Sequence, residues 1–224
     1  MSQPFYVAPE QMMKDRADFA RKGIARGRAL VAIRYADGLA IVAENASDTL
    51  RKVSEIYRIA FAGVGKYNEF DQLRVAGVRA ADLKGFQYSR DDVDARSLAN
   101  SYAQMLGNIF THEMKPMEVE ILVAEVGLDS DGDQMFHLLY DGTVVDERDF
   151  AAIGGDAEAI KQRLADSWTD GLDLAGAIRV GVDAVSGPDR EIAPSELEAA
   201  QLSRGNSRRC FTRVDTTALS ALLA

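Results

Sequence analysis

The spacing of apolar positions changes several times along the chain, and each change marks an element. Met13, Ala17, Ala20 and Ile24 recur at helical spacing, while Gly23 and Gly27 weaken that helix toward its end. The helix is read over residues 10–27. Ahead of it, residues 1–9 carry Pro4, Pro9, Phe5 and Tyr6 without periodicity and read as an irregular arm. Two apolar runs between Ala29 and Asn45 flank Asp37 and Gly38, residue types able to supply the positive φ angles of a tight hairpin turn, so a strand, turn and strand are predicted. Arg58 to Gly63 predicts a further strand. Phe70, Leu73 and Gly77 share one helical face, and Leu98, Tyr102, Leu106, Ile109 and Phe110 predict a second helix that ends before Pro116.

The second half repeats this alternation. Val119 to Val126 is apolar on both faces apart from Glu120 and Glu125, the pattern of a buried sheet strand. Met135 to Tyr140 and Thr143 to Asp146 flank Asp141 and Gly142, a second hairpin. One helix then carries Ile160, Leu164 and Trp168, and another carries Leu174, Ile178, Val182 and Val185 before Gly187 and Pro188 stop it. Strands at Leu197 to Leu202 and Cys210 to Val214 precede a short closing helix capped by Asp215. Grouped strands separated by paired helices do not suit a βαβ fold, which alternates single strands with single helices. They fit an α+β fold, a four-layer αββα sandwich of two stacked antiparallel sheets flanked by helices, built as a single domain over residues 1–224.

Composition narrows the function classes. A net charge of −9 opposes general affinity for nucleic acid or anionic lipid. One cysteine, Cys210, and two histidines offer no internal disulfide and no metal-binding cluster, which suits a reducing compartment. No apolar run approaches the roughly 20 residues that span a bilayer, and Pro4, Pro9, Glu10 and Asp15 occupy the place of a signal peptide's apolar region, so a cytoplasmic protein is expected.

Few side chains suggest chemistry by themselves. Asp129, Asp131 and Asp133 alternate as in a calcium loop, but Gly132 stands early and position twelve is Tyr140 instead of a bidentate glutamate, so a polar hairpin loop is expected. Thr216 and Thr217 read as the first turn of the closing helix, and Cys210 as a buried residue with no sign of activation by His112 or His137. Lys52, in Leu-Arg-Lys-Val-Ser-Glu-Ile, reads locally as a solvated lysine pairing with Glu55 or another acid. Arg21, Lys22, Arg26 and Arg28 form the densest basic cluster; helical spacing spreads them over more than one face, leaving contacts to an acidic neighbour or simple solubilisation. Phe5, Tyr6 and Val7 are more apolar than a solvated tail requires.

In order along nearly the whole chain stand the proline-containing arm, Arg21-Lys22-Gly23, the hairpin at Asp37, Thr49 to Ile56, Gly63 to Leu73, and Gly154-Gly155. Together they resemble proteasome-type subunits, and within them the actinobacterial-type α subunits. Catalytic members of that family open their mature chain with a threonine nucleophile. Here that place falls close to Arg28, whose guanidinium is always protonated and is neither nucleophile nor base. The resemblance therefore implies a non-catalytic α subunit of a 20S particle, without catalytic residue, metal or cofactor. It implies a homo-heptameric outer ring on β subunits, which gates entry of protein substrates and docks the C-terminal tails of an ATPase ring. Lys52 would line the docking pocket, Phe5, Tyr6, Val7, Ala8 and Pro9 would form the gate, and Arg21, Lys22, Arg26 and Arg28 would make ring contacts. The alternative is an active N-terminal-nucleophile hydrolase, a β-type subunit or simpler relative.

Overall fold

Ten strands pair antiparallel throughout, and the computed structural model describes them within residues 8–47, 49–205 and 210–223. The strands are β1 (Leu30–Tyr35), β2 (Gly38–Glu44), β3 (Val53–Ile56), β4 (Ile59–Gly65), β5 (Val119–Glu125), β6 (Gln134–Leu138), β7 (Val144–Glu147), β8 (Phe150–Ile153), β9 (Leu197–Ser203) and β10 (Phe211–Val214). One sheet has the order β10-β9-β2-β1-β8 and the other β3-β4-β5-β6-β7. Six helices accompany them: α1 (Pro9–Ala25), α2 (Tyr67–Gln87), α3 (Ala95–His112), α4 (Ala157–Ser167), α5 (Leu174–Ser186) and α6 (Thr216–Leu223).

Period-two alternation sorts the strand residues into layers. Leu30, Ala32, Leu39, Ile41 and Ala43 of the first sheet meet Ala60, Ala62, Val64, Leu122 and Ala124 of the second. The intervening Val31, Ile33, Ala40 and Val42 pack against Ile160, Leu164, Ile178 and Val182 of α4 and α5. On the outer face of the second sheet, Phe61, Ile121, Val123 and Leu138 pack against Phe70, Leu73, Leu98, Tyr102 and Leu106 of α2 and α3. The result is the expected αββα sandwich, in which strands are apolar on both sides because both sides are covered.

Helix α1 lies outside these layers and is tied to them from its middle to its C-terminal end. Ala20 and Ile24 pack on Tyr140. Arg16 donates to the carbonyls of Ile109 (3.3 Å), Glu113 (2.5 Å) and Met114 (3.2 Å), closing the open C-terminal end of α3.

Several boundaries differ from the sequence reading for identifiable reasons. The first hairpin turns on Ala36 and Asp37, since Tyr35 pairs with Gly38. Asp37 keeps a negative φ, and Gly38 is required because a Cβ there would overlap the Leu202 carbonyl of β9. Strand β3 was not expected: its turn into β4 uses Tyr57 at φ 57°, without glycine or asparagine to announce it. Strand β8 is four residues long and was also missed. Pro9 belongs to α1 as its first residue, a position where its lacking N–H costs nothing, so the helix runs Pro9–Ala25 instead of 10–27. Trp168 stands just beyond α4, where its indole donates to the Arg34 carbonyl at 3.0 Å.

Helices α2 and α3 cross tightly at Gly77, where α2 passes over Tyr102 of α3 and the tyrosine hydroxyl donates to the Leu73 carbonyl at 3.0 Å. A Cβ at position 77 would overlap that hydroxyl, and Tyr102 is 1% exposed, so it has nowhere to retreat. The helix propensity gained by alanine, about 1 kcal/mol, is smaller than the overpacking. Gly77→Ala is therefore expected to lower stability by about 1–2 kcal/mol in urea unfolding. Adding Tyr102→Phe should recover part of that loss. Additive losses in the double variant would contradict this packing.

Candidate functional site

Lys52 sits one residue ahead of β3, and its backbone is pinned before its side chain is considered. Glu198 of β9, 4% exposed, accepts from the amides of Lys52 (2.9 Å) and Val53 (3.3 Å) and from the Asn45 side chain (2.9 Å). Arg213 of β10 supplies the counter-charge at 2.8 Å and donates onward to the Val53 carbonyl at 2.6 Å. A buried carboxylate is tolerated when it is paired and its lone pairs are filled, and Glu198 meets both conditions. The Gly63 amide closes the other side by donating to the Lys52 carbonyl at 3.1 Å. One bridge thus joins β9 and β10 of the first sheet to the start of β3 in the second and fixes where the Lys52 side chain begins.

The side chain then runs inward. Its Nζ donates to the backbone carbonyl of Arg28 at 2.7 Å, not to Glu55. Burial pushes the Lys52 amine down to about 8, an effect opposed by the Glu44 and Glu198 carboxylates and reinforced by the Arg28 guanidinium. Glu44 in turn lies between two guanidinium groups, Arg28 at 3.3 Å and Arg190 at 3.2 Å.

Lys52, Asn45, Ser47, Leu50, Gly63, Gly65, Tyr67 and Phe70 line a cavity of about 190 Å³. Glycine is needed on its floor: a Cβ at Gly63 would strike the Phe70 ring, and Gly65 has φ +122°. Leu50 and Tyr67 stand at its exposed side. The arrangement offers a half-buried ammonium at the base of a small, mostly apolar recess, a geometry suited to a single carboxylate carried on an apolar side chain.

The basic cluster does not converge. Arg21 pairs with Asp18 at 3.3 Å and lies over the Tyr140 ring, Lys22 and Arg26 are exposed, and Arg28 turns to Glu44. Of these four, only Arg28 meets Lys52, and it does so through its main chain. Phe5, Tyr6 and Val7 lie outside the described residues; Ala8 is the N-cap of α1 and Pro9 its first residue. Of the aspartates in the β5–β6 connection, Asp129 accepts from the Gly132 amide, and Asp133 accepts from the Gly127 amide while paired with Arg204. No group of three or more His, Cys, Asp or Glu among the described residues is placed to hold a metal ion. Cys210 is buried between the sheets, His137 meets Glu120 at 3.1 Å, and His112 is on the exposed end of α3.

Glu198 was overlooked in the sequence, although a signal existed. It is the single acid in an otherwise apolar or neutral strand, Leu-Glu-Ala-Ala-Gln-Leu-Ser, and an acid at a core register of such a strand must have partners.

Comparison with known proteins agrees with this architecture. The family model described as "Proteasome subunit" matches residues 24–196. The chain is 60% identical to the "Proteasome subunit alpha" of Acidimicrobium ferrooxidans, over 96% of this chain and 93% of that protein. It is 57% identical to the "Proteasome subunit alpha" of Kineococcus radiotolerans over 100% of this chain and 99% of that one, and 52% identical to that of Thermomonospora curvata with the same coverage. Fold, order of motifs and near-complete coverage converge, and the chain belongs to the proteasome subunit family, among its α-type members.

Proposed function

We propose that this chain is a non-catalytic α subunit of a 20S core particle, forming a homo-heptameric outer ring on β subunits, gating entry of protein substrates and docking the C-terminal tails of an ATPase ring. The observation that carries the reading is the setting of Lys52. In a threonine hydrolase the lysine near this place would face a nucleophile on a freed α-amine. Here its amine meets the carbonyl of Arg28, inside a chain that continues back through Gly27 into α1. No chemistry is poised there; a carboxylate receptor is.

Residues 1–8 at the entry to α1 are proposed to crowd the axial pore, with Pro9 fixing where the helix begins. The exposed Arg21, Lys22 and Arg26 are proposed to contact neighbouring subunits. No helix among the described residues is long and apolar enough to cross a membrane, and a cytoplasmic location is proposed.

The docking assignment is tested with the particle assembled from this chain and its β partner. Lys52→Ala should assemble normally yet lose stimulation by a tail-docking ATPase, and its affinity for a tail peptide should fall roughly tenfold or more, the scale of a lost charge-assisted hydrogen bond. Full stimulation of the variant would overturn the assignment.

Docking should also depend on pH. The ligand carboxylate stays ionised above pH 6, whereas Lys52 is charged below about 8 and neutral above it. Binding should therefore hold between pH 6 and 7 and weaken as pH rises through 8 to 9, and this decline should vanish in Lys52→Ala. A flat profile in the unaltered particle would contradict the role given to the ammonium.

A further inference from the structure

The Lys52 amine has fewer partners than an ammonium requires. An ammonium carries three N–H donors. Among the described residues, Nζ meets one acceptor, the Arg28 carbonyl at 2.7 Å. The two acids that act on the amine are committed elsewhere. Glu44 lies between Arg28 at 3.3 Å and Arg190 at 3.2 Å, and Glu198 is held by Arg213 at 2.8 Å and by the Lys52 and Val53 amides. The cavity of about 190 Å³ beside the amine supplies no anion, being walled by Leu50, Phe70, Gly63 and Gly65 together with Asn45, Ser47 and Tyr67. The Asn45 amide group is given to the Leu50 carbonyl and to Glu198, at 2.9 Å each, whereas Ser47 and Tyr67 add hydroxyls able to donate.

We propose that Lys52 is a modification site: its neutral amine takes up carbon dioxide in this cavity and becomes a carbamate. The nitrogen lone pair forms a bond to the carbon of carbon dioxide, one C=O π pair moves onto oxygen, and the proton displaced from nitrogen passes to bulk water. No oxidant, reductant or leaving group is involved.

The geometry suits the product better than the ammonium. A carbamate nitrogen keeps one N–H, and one acceptor, the Arg28 carbonyl, is in place for it. Carbon dioxide has three heavy atoms, and the cavity is several times the roughly 30 Å³ share of a single water molecule. The charges also favour the change. The Arg28 guanidinium, which opposes the ammonium, attracts a carbamate, while the contrary pull of Glu44 and Glu198 is met by their own guanidinium partners. Reactivity needs a free lone pair, and burial supplies it by lowering the amine to about 8. At pH 8 such an amine is about half neutral, where an ordinary lysine with a pKa near 10.4 is less than about 1% neutral. The carbamate inverts the charge at the base of the cavity and occupies part of it. On the docking reading of that cavity, on which this consequence alone rests, carbon dioxide and a tail carboxylate exclude each other.

Chemical trapping on the assembled particle tests the site. The particle is equilibrated at pH 8 with isotopically labelled bicarbonate, which supplies carbon dioxide, treated with a triethyloxonium salt to turn any carbamate into a stable ethyl ester, and digested for mass spectrometry. The labelled group should appear on Lys52 at least about tenfold above the exposed Lys14 and Lys22, and Lys52→Ala should leave only the background on other lysines. A saturating peptide ending in leucine with a free carboxylate should suppress the label, and its C-terminal amide should not. The free-carboxylate peptide should also bind several-fold more weakly in bicarbonate than in chloride at the same pH and ionic strength. Label on Lys52 no higher than on Lys14 and Lys22 would overturn the modification site and leave docking standing wherever the peptide still binds. Strong label on Lys52 that the free-carboxylate peptide does not suppress would uphold the modification and overturn the docking reading.

Discussion

Both faces of each sheet must be covered at once, and this requirement shapes the molecule. Strands β1, β2, β4 and β5 carry apolar side chains on alternate sides, so neither sheet can face water, and each needs a partner sheet on one side and a helix pair on the other. Once four layers are stacked, polar groups and irregular backbone are left to the ends of the strands and the loops that join them. The cavity beside Lys52 lies at such a place, where the ends of β3 and β4 meet the end of β2 and the start of α2.

Holding a charge at that edge takes an organised neighbourhood. Glu198 fixes the backbone of Lys52 and Val53 and is neutralised by Arg213, so the two sheets are joined by a carboxylate whose bonds are filled. The amine above it is held by the Arg28 carbonyl alone among the described hydrogen bonds of its side chain, while Arg28 sends its guanidinium to Glu44. Arg28 and Lys52, which the family resemblance sets near the places of a nucleophile and its lysine, are here engaged in a salt bridge and a main-chain contact.

The layered fold was legible in the chain because burial on both faces leaves a run such as Val-Glu-Ile-Leu-Val-Ala-Glu, which resembles neither an amphipathic helix nor a half-exposed strand. What escaped was local. Strand β3 mixes Ser54 and Glu55 with Val53 and Ile56, and the turn after it rests on a left-handed Tyr57, held by its hydroxyl donating to Asp82 at 2.8 Å, a tertiary contact no local pattern reveals. The site was half legible. Lys52 in isolation reads as an ordinary surface lysine, and only resemblance singled it out, because its partner is a main-chain carbonyl 24 residues away. Glu198 carried a readable signal in its strand, whereas Arg16, capping α3 from α1, looked like any other charge on a polar helix.

The account as a whole stands on where this chain sits in the assembled particle. Electron microscopy of the chain co-purified with its β partner measures that directly. The proposed function predicts a stack of four rings with this chain, uncleaved ahead of Arg28, in the outermost two. Placement of this chain in the inner rings, or density that begins at a freed residue near Arg28, would contradict a non-catalytic capping subunit.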